Sequence, residues 1–451
     1  MVKDMTKGSP MKLILGFAIP MLMGMLFQQF YNLVDTMIVG KTLGVDALAG
    51  VGATACINFM IIGFCMGVCN GFAIPVAQQF GAGKYSELRK YVYNGYICSI
   101  IFSVVLMVAS VVGCRGILTL LRTPSNIYEH AYAYIVVIFA GIPTVFLYNM
   151  VSGVIRSLGD SKTPVYFLVV SAVINIILDF VFILVFKMGV AGAAWATDIS
   201  QLISGVACYV YMNKKYDILK FQKQEKKFKK VYVKNLCING IPMGLQFSIT
   251  AIGTIIVQSA VNIYGPVHMA GFSAAGKIQN IFATVFTAFG ATIATYVGQN
   301  RGAGKMDRVK QGVRYTQMMV LGWSVFVMFL MFFFGKYLTY LFVDPSEQDV
   351  VNVSVTYFRT VFWAYPFLGS IFLYRNTLQG MGYGLVPMLG GVFELVARTG
   401  IVVLIAGHTS FAGVCMADPT AWIAALIPLI PYYFHVMKKY KNKSQVQVIE
   451  D

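Results

Sequence analysis

The segment QQFGAGK at residues 78–84 returns as QNRGAGK at residues 299–305, and this repeat decides the architecture of the chain. The spacing between the two copies is 221 residues. Self-similarity at a fixed, long period indicates that a structural unit is duplicated. Other positions repeat at the same spacing or one residue more: Ala49, Gly50, Ala53 and Ile57 with Ala270, Gly271, Ala274 and Ile278, and Ile19-Pro20 with Ile241-Pro242.

The composition is typical of a membrane protein. Of the 451 residues, 58% are hydrophobic and 12% are charged, compared with about 25% charged in soluble domains. The apolar residues form uncharged blocks longer than the roughly 20 residues that an α-helix needs to cross a bilayer. We therefore expect an all-α integral membrane protein and exclude nucleic-acid binding as the reason for the net charge of +17. About twelve spans are predicted, at residues 12–38, 47–80, 91–113, 128–156, 164–186, 190–212, 235–264, 267–299, 312–334, 350–380, 385–407 and 411–437.

The repeat and the spans together predict two pseudo-symmetric lobes of six helices each. Because six is an even number, both halves enter the membrane from the same side, as in transporters built from parallel repeats. Two such lobes around a cleft suit alternating access, so transport is the predicted function. The predicted parts are an N-terminal lobe (1–212), a basic linker (213–234), a C-terminal lobe (235–437) and a tail (438–451).

Basic residues are unevenly distributed among the loops. Residues 213–234 hold nine lysines, and further basic residues follow the eighth and twelfth spans, whereas loops on the other face have few. The positive-inside rule predicts a multi-pass protein with the linker and both termini in the cytoplasm. The simplest interpretation of the lysine-rich linker is a solvated topology signal.

The first predicted span contains an acidic residue, Asp35, near its outer end. Gln28 and Tyr31 precede it by seven and four residues, so all three lie on one helix face and would line a cleft. Charged groups inside a membrane are costly and usually functional. Pro20 removes a backbone hydrogen bond in the same helix and marks a hinge.

A second acidic residue, Asp179, lies in the fifth span with Asn175 one turn before it. Asn149 and Thr197 could add oxygen atoms to the same chamber. Oxygen donors suit a proton or an alkali cation and do not suit zinc, and a desolvated carboxyl group can exchange a proton near neutral pH. We predict a proton or Na⁺ site, with Asp35, Asn175 and Asp179 as the sodium ligands. The alternative is that both acids are neutral partners that hydrogen-bond helices together.

The second half lacks this pattern. The counterpart of Asp35 falls at Ile256 or Val257, so no carboxylate is present there. Lys277 is an isolated base in the eighth span, where we expect it to face the substrate cleft. Glu394 and Arg398 have the spacing of an intrahelical ion pair.

The chain has no P-loop, nucleophile elbow, zinc-protease motif or dinucleotide fingerprint. These motifs accompany nucleotide hydrolysis and the common soluble-enzyme chemistries. We therefore expect a transporter and not an enzyme, without a cofactor and driven by an ion gradient.

Several stretches resemble one transporter family. The chain resembles a bacterial member of the multidrug and toxic compound extrusion (MATE) family, closer to its DinF-like branch. The resemblance implies a V-shaped cleft between two six-helix lobes, and antiport of organic cations or other toxic compounds against H⁺ or Na⁺. It also places a cation site in the N-terminal lobe. The stretches that carry it are Ile19-Pro20, Asp35 to Gly40, Gln78 to Lys84 with its repeat, Arg156 to Asp160 with Pro164, and Asn175 to Asp179. The cation site carries over onto Gln28, Tyr31, Asp35, Asn149, Asn175, Asp179 and Thr197.

In one branch of the family, a glutamate of the seventh span and an aspartate of the tenth span bind sodium. Here those regions contain Gln246 and Arg375 instead. We expect a monomer in the bacterial plasma membrane that exports drug-like or cationic small molecules. Two alternatives stay open. A flippase for lipid-linked oligosaccharides would need several basic residues in the cleft, and a membrane-embedded enzyme would need a second catalytic group near Asp35 or Asp179.

Overall fold

A computed structural model describes residues 2–121, 123–405 and 410–450, with side chains as far as residue 440, and all regular secondary structure in this part of the chain is helical. A π-helical turn (Val181–Val185) continues α7, and 3-10 turns occur at Asp217–Leu219, Lys223–Glu225 and Phe362–Ala364. The α-helices are α1 (Pro10–Leu43), α2 (Val45–Ala53), α3 (Ala55–Gly81), α4 (Tyr85–Leu120), α5 (Ser125–Ala140), α6 (Ile142–Ser157), α7 (Lys162–Phe180), α8 (Gly189–Lys215), α9 (Lys230–Asn262), α10 (Pro266–Gly302), α11 (Met306–Thr339), α12 (Gln348–Val361), α13 (Tyr365–Gly380), α14 (Leu385–Ile405), α15 (Phe411–Cys415) and α16 (Ala417–Glu450).

The described helices confirm a multi-span membrane protein. Nine of them are long and apolar enough to cross a bilayer, and the pair α5 and α6, bent by 46°, is so as well when the two helices are taken together. Helix α8 and the pair α12 and α13 occupy the other two predicted spans but fall short of that length or hydropathy. Over its described residues, each of the twelve predicted spans is therefore helical apart from short breaks.

One break distinguishes the two halves. The span predicted over 47–80 is divided at Thr54 into α2 and α3, whereas its counterpart α10 is continuous. The Thr54 hydroxyl donates to the Val51 carbonyl oxygen at 2.7 Å, a local bond that competes with the helical backbone pattern. The residue at the equivalent position is Ala275, which has no hydroxyl group to form such a bond.

The turns of the repeat have the same backbone conformation in both halves. Gly83 and Gly304 have φ angles of 69° and 73°, in the left-handed region that glycine adopts without steric cost. The following lysines match as well, with φ and ψ of −89° and 70° at Lys84 and −89° and 67° at Lys305. The predicted duplication is therefore present in the backbone as well as in the sequence.

The chain forms two compact units. Unit 1 comprises Met1–Met5 and Gly16–Ser248, and unit 2 comprises Thr6–Leu15 and Ile249–Asp451. Helix α1 begins in unit 2 and continues in unit 1, whereas α9, its counterpart in the repeat, begins in unit 1 and continues in unit 2. The division into two lobes joined by a linker at 213–234 stays a prediction.

Glycines allow α3 and the first part of α9 to pack backbone against backbone within unit 1. A Cβ atom added at Gly67 would lie 2.7 Å from the Gly244 Cα, and one added at Gly71 would lie 2.7 Å from the Asn239 carbonyl oxygen. Small residues spaced four apart permit this close approach between membrane helices. The contact explains why the start of α9 belongs to unit 1.

We expect Gly71→Ala to lower the stability of the protein by about 1–3 kcal/mol, because the added methyl group meets backbone that cannot rotate away. The measurement is the thermal unfolding temperature in detergent. Gly116→Ala in α4 is the matched control, since nothing lies within 4 Å of the added methyl group. The control should be neutral or gain up to about 1 kcal/mol. Equal effects of the two substitutions would contradict the close packing.

The lysine-rich segment between α8 and α9 folds back onto α4. The Arg89 guanidinium donates to both carboxylate oxygens of Glu225, at 2.6 and 2.7 Å, and to the Ile218 carbonyl oxygen at 3.1 Å. Glu225 also accepts a hydrogen bond from the Gln222 backbone amide at 2.9 Å. The Arg89 side chain beside it lowers the pKa of Glu225 from 4.5 to about 2. The segment is therefore an ordered part of unit 1.

This ion pair predicts a pH dependence. Because the pKa of Glu225 is lower in the folded protein, its stabilising contribution is complete above pH 4.5 and is lost as the pH falls towards 2. We expect wild type to unfold at a higher temperature than Glu225→Gln above pH 4.5, with the difference disappearing towards pH 2. A difference that does not change with pH would refute the role of the Glu225 charge.

Candidate functional site

Helices α1 and α7 bring the two predicted acidic residues together in unit 1. Asp179 is fully buried at the end of α7, where the helix changes into the π-helical turn, and Asp35 is half-buried on α1. Their carboxyl groups lie within electrostatic range of each other. A π-helical turn beside such a residue is common at functional sites.

The acid pair lacks hydrogen-bond donors. Asp35 Oδ1 and both carboxylate oxygens of Asp179 are buried and accept no hydrogen bond within the described part of the chain. The Asn175 carbonyl oxygen Oδ1 is in the same condition. Buried oxygens without donors are costly, and a proton or a cation would satisfy them.

The remaining polar residues of the predicted chamber are placed as follows. The Asn175 side-chain amide donates to the Thr197 hydroxyl at 3.4 Å, so α7 and α8 meet there. Asn149 is buried, but its amide donates to the Val145 carbonyl oxygen of its own helix at 2.9 Å. The structure therefore connects Asn175 with Thr197 and provides no hydrogen bond from Asn149 to the acids.

The tyrosine of the predicted stripe lies beside the acid pair. Tyr31 is within electrostatic range of both Asp35 and Asp179. Tyr134 on α5 is also within range of both acids, a residue that the sequence analysis did not select. The only signal for Tyr134 in the sequence is a hydroxyl group in an apolar span. Because the chain contains 26 tyrosines, this signal does not single out Tyr134.

The other two predicted residues of α1 are less constrained. Gln28 is half-buried two turns before Asp35, on the same helix face. Pro20 lies inside α1, which is one uninterrupted helix from Pro10 to Leu43. The proposed hinge at Pro20 stays a prediction.

These residues fit a hard cation. Asp35, Asp179 and Asn175 offer carboxylate and amide oxygens without donors, the ligand type that Na⁺ and other hard cations prefer. No group of three histidine, cysteine, aspartate or glutamate side chains suited to a metal ion occurs in the described ranges. The oxygen donors present are therefore of the type that a proton or an alkali ion would need.

Lys277 belongs to unit 2, whereas the acid pair belongs to unit 1. It is exposed on α10, with Nζ 5.7 Å from the centroid of the Phe342 ring. This distance is that of a cation–π contact. Its role in substrate binding stays a prediction.

Unit 2 contains a buried charge network that the sequence analysis predicted only in part. The expected pair of Glu394 and Arg398 is confirmed, with an N–O distance of 3.1 Å. Arg375 of α13 also pairs with Glu394 at 3.0 Å, and Arg398 pairs with Asp418 of α16 at 3.2 Å. The Tyr357 hydroxyl donates to Asp418 at 2.8 Å. Arg375 and Asp418 both lie inside predicted spans. Because an unpaired charge in a membrane is costly, their presence there was the sequence signal that each has a partner.

A third buried acid packs at the bend between α5 and α6. Asp198 of α8 is 5% exposed, and its carboxyl group lies directly against Gly141, where a Cβ atom would collide with it. Asp198 Oδ2 accepts no hydrogen bond from the residues that the structure describes. Any side chain at Gly141 would therefore displace the Asp198 carboxyl group.

The helices and the repeat define a multi-span membrane protein with a duplicated core. The MatE family model matches the chain twice, over residues 20–181 and 242–405, once in each half of the repeat. The chain therefore belongs to the MatE family, whose members are transporters and not enzymes. The predicted family and the all-α fold are both confirmed.

Curated relatives and solved structures agree with this membership. The chain is 28% identical over 443 residues to the probable multidrug resistance protein YoeA of Bacillus subtilis, covering 96% of this chain and 95% of that protein. It is 30% identical over 383 residues to the probable multidrug resistance protein YpnP of the same organism, covering 84% of each. A multidrug resistance MATE family transporter in an outward-facing conformation matches with a TM-score of 0.90 at 22% identity, over 97% of this chain and 98% of that one.

Proposed function

We propose that this transporter exports organic, often cationic, compounds in exchange for H⁺ or Na⁺. The observation that carries the proposal is the buried pair of Asp35 and Asp179, three of whose oxygens have no donor among the described residues. Such a pair binds positive charge and releases it when the surroundings change. The relatives named multidrug resistance proteins support export of varied small molecules.

The acid pair provides the coupling. An ion arriving from outside binds Asp35 and Asp179, weakens the hold on the substrate and favours return to the inward-facing state. Coupling requires that ion and substrate bind the two states with different affinities. Asn175 and Thr197 supply further oxygens for Na⁺. Asn149, which the sequence places in the same chamber, is a third such donor in this proposal. Gln28 and Tyr31 contact the substrate.

The proposed setting is a monomer in the bacterial plasma membrane, with both termini in the cytoplasm. The distribution of lysines and arginines supports this orientation. No cofactor enters the scheme, because the transported ion supplies the energy.

The structure removes one of the basic side chains that the flippase alternative needs. A phosphate-bearing lipid headgroup would need several basic side chains that are free to bind it. Three basic residues inside predicted spans could serve, namely Lys277, Arg359 and Arg375. Arg375 is buried and paired with Glu394. Lys277 and Arg359 are exposed on α10 and α12.

The deciding experiment is ethidium efflux from proteoliposomes under separately imposed proton and sodium gradients. Transport that one gradient drives and an ionophore for that ion abolishes would support antiport and identify the ion. Ethidium movement that depends on neither gradient would contradict coupled exchange.

A further inference from the structure

All nine lysines of residues 213–234 are exposed. Lys220 pairs with Asp217 at 2.6 Å, with both side chains largely in solvent. The other eight form no ion pair within the part of the chain that the structure describes. They are Lys214, Lys215, Lys223, Lys226, Lys227, Lys229, Lys230 and Lys234.

The fold neutralises the nearby carboxylates with other groups. Arg89 pairs with Glu225 through two hydrogen bonds, and both side chains are shielded from solvent. On α4, Glu87 pairs with Lys90 at 2.6 Å and accepts a hydrogen bond from Tyr232 at 2.8 Å. A topology signal would require only that lysines be present. Here the surrounding acids are also engaged, which leaves a concentrated positive surface.

The backbone of this surface is fixed by one buried residue. The Asn94 side-chain amide donates to the Lys227 carbonyl oxygen at 3.1 Å, and its own oxygen accepts from the Lys229 backbone amide at 3.1 Å. Asn94 is fully buried on α4. The lysines around it are therefore presented from a rigid backbone, which lowers the entropy cost of binding a ligand.

Two apolar side chains protrude among the lysines. Phe228 is 55% exposed and Val231 is 68% exposed. Phe228 lies in the connection between α8 and α9 and Val231 in the first turn of α9, just before the span predicted to begin at residue 235 and hence at the boundary of the membrane. Apolar side chains between lysines at such a boundary insert into the headgroup region while the lysines contact phosphates.

We propose that residues 226–231, the basic segment, bind the headgroups of anionic phospholipids in the adjacent leaflet. Four of its six residues are lysines, which complement the negative headgroup of a lipid such as phosphatidylglycerol. The other two, Phe228 and Val231, complement the apolar region next to that headgroup. Each lysine near an anionic surface contributes about 1 kcal/mol, which corresponds to about fivefold in affinity. The proposal is independent of substrate and coupling ion.

The test counts lipids that stay bound to purified protein by native mass spectrometry, in mixed micelles of phosphatidylglycerol and phosphatidylcholine. We expect wild type to retain phosphatidylglycerol preferentially. Replacing Lys226, Lys227, Lys229 and Lys230 by glutamine should lower the apparent affinity about fivefold per lysine, and replacing them by arginine should preserve it. Salt near 1 M, where the Debye length is about 3 Å, should also release the lipid.

A matched control removes four charges elsewhere, at Lys310, Arg314, Lys438 and Lys439, all of which are exposed. This variant should retain the lipid as wild type does. Asn94→Ala keeps every charge but frees the backbone, so it should weaken retention several-fold if the fixed geometry matters. Inorganic phosphate at millimolar concentration should not displace the lipid, because it lacks the apolar part that Phe228 contacts.

Equal lipid retention by wild type and the four-glutamine variant would overturn the proposal and leave the lysines as a topology signal only. Equal losses in the matched control would attribute binding to net charge and overturn the assignment to the basic segment. Displacement by inorganic phosphate would indicate a free-anion site instead. Because no gradient or substrate is used, failure here leaves the proposed antiport untouched.

Discussion

Replacing Asp35 by asparagine is expected to reduce gradient-driven ethidium efflux to the level of protein-free liposomes, while the protein still folds and inserts. Asparagine has nearly the same size as aspartate but cannot bind a proton or balance the charge of Na⁺. The substitution also removes the charge that lies beside Asp179. Efflux from proteoliposomes under the coupling gradient measures the effect.

Asp46→Asn is the matched control, since Asp46 is exposed on α2 in the same unit. It should transport at the wild-type rate. Unfolding temperatures and insertion yields of both variants show whether Asp35→Asn acts on coupling alone. Normal gradient-driven efflux by Asp35→Asn would exclude Asp35 as the coupling residue.

Replacing Glu394 by glutamine is expected to destabilise the protein by about 3–5 kcal/mol, the usual cost of removing one partner from a buried ion pair. Glu394 is 6% exposed and is the carboxylate that pairs with both Arg375 and Arg398. Arg398 keeps Asp418 as a partner in the variant, whereas Arg375 loses its ion pair. Thermal unfolding in detergent would measure the loss.

A double-mutant cycle isolates the interaction. Arg375→Gln together with Glu394→Gln leaves no charge unpaired at that contact, so the double variant should be more stable than the sum of the two single losses predicts. Strict additivity would show that the two side chains contribute independently and not as a pair.

The spans and the turns of the repeat were predictable because their signals are local. A run of 20 apolar residues is sufficient to indicate a helix in a bilayer. The glycines at 83 and 304 likewise mark turns that need a positive φ angle. The breaks at Thr54 and Gly141 were not predicted, because the hydropathy stays high across both positions and gives no sign that the helix is interrupted.

The acids of the candidate site were predicted one by one, since each is costly in a membrane. That Asp35 and Asp179 meet depends on how α1 packs against α7, and neither helix encodes that contact in its own pattern. The same limit applies to Asp198 against Gly141, and to Asp418, whose partner Arg398 lies on another helix. Contacts between helices decide these pairings.

The two halves of the repeat differ in the origin of their counterions. In unit 2 each buried carboxylate of the network already faces a guanidinium group that is covalently part of the chain. In unit 1 no lysine or arginine side chain among the described residues forms a hydrogen bond with the buried Oδ1 of Asp35 or with either carboxylate oxygen of Asp179. Duplication has thus produced one half whose network carboxylates have fixed counterions and one half in which the described residues provide none for Asp35 and Asp179, and under the proposed antiport the ion would bind in the second.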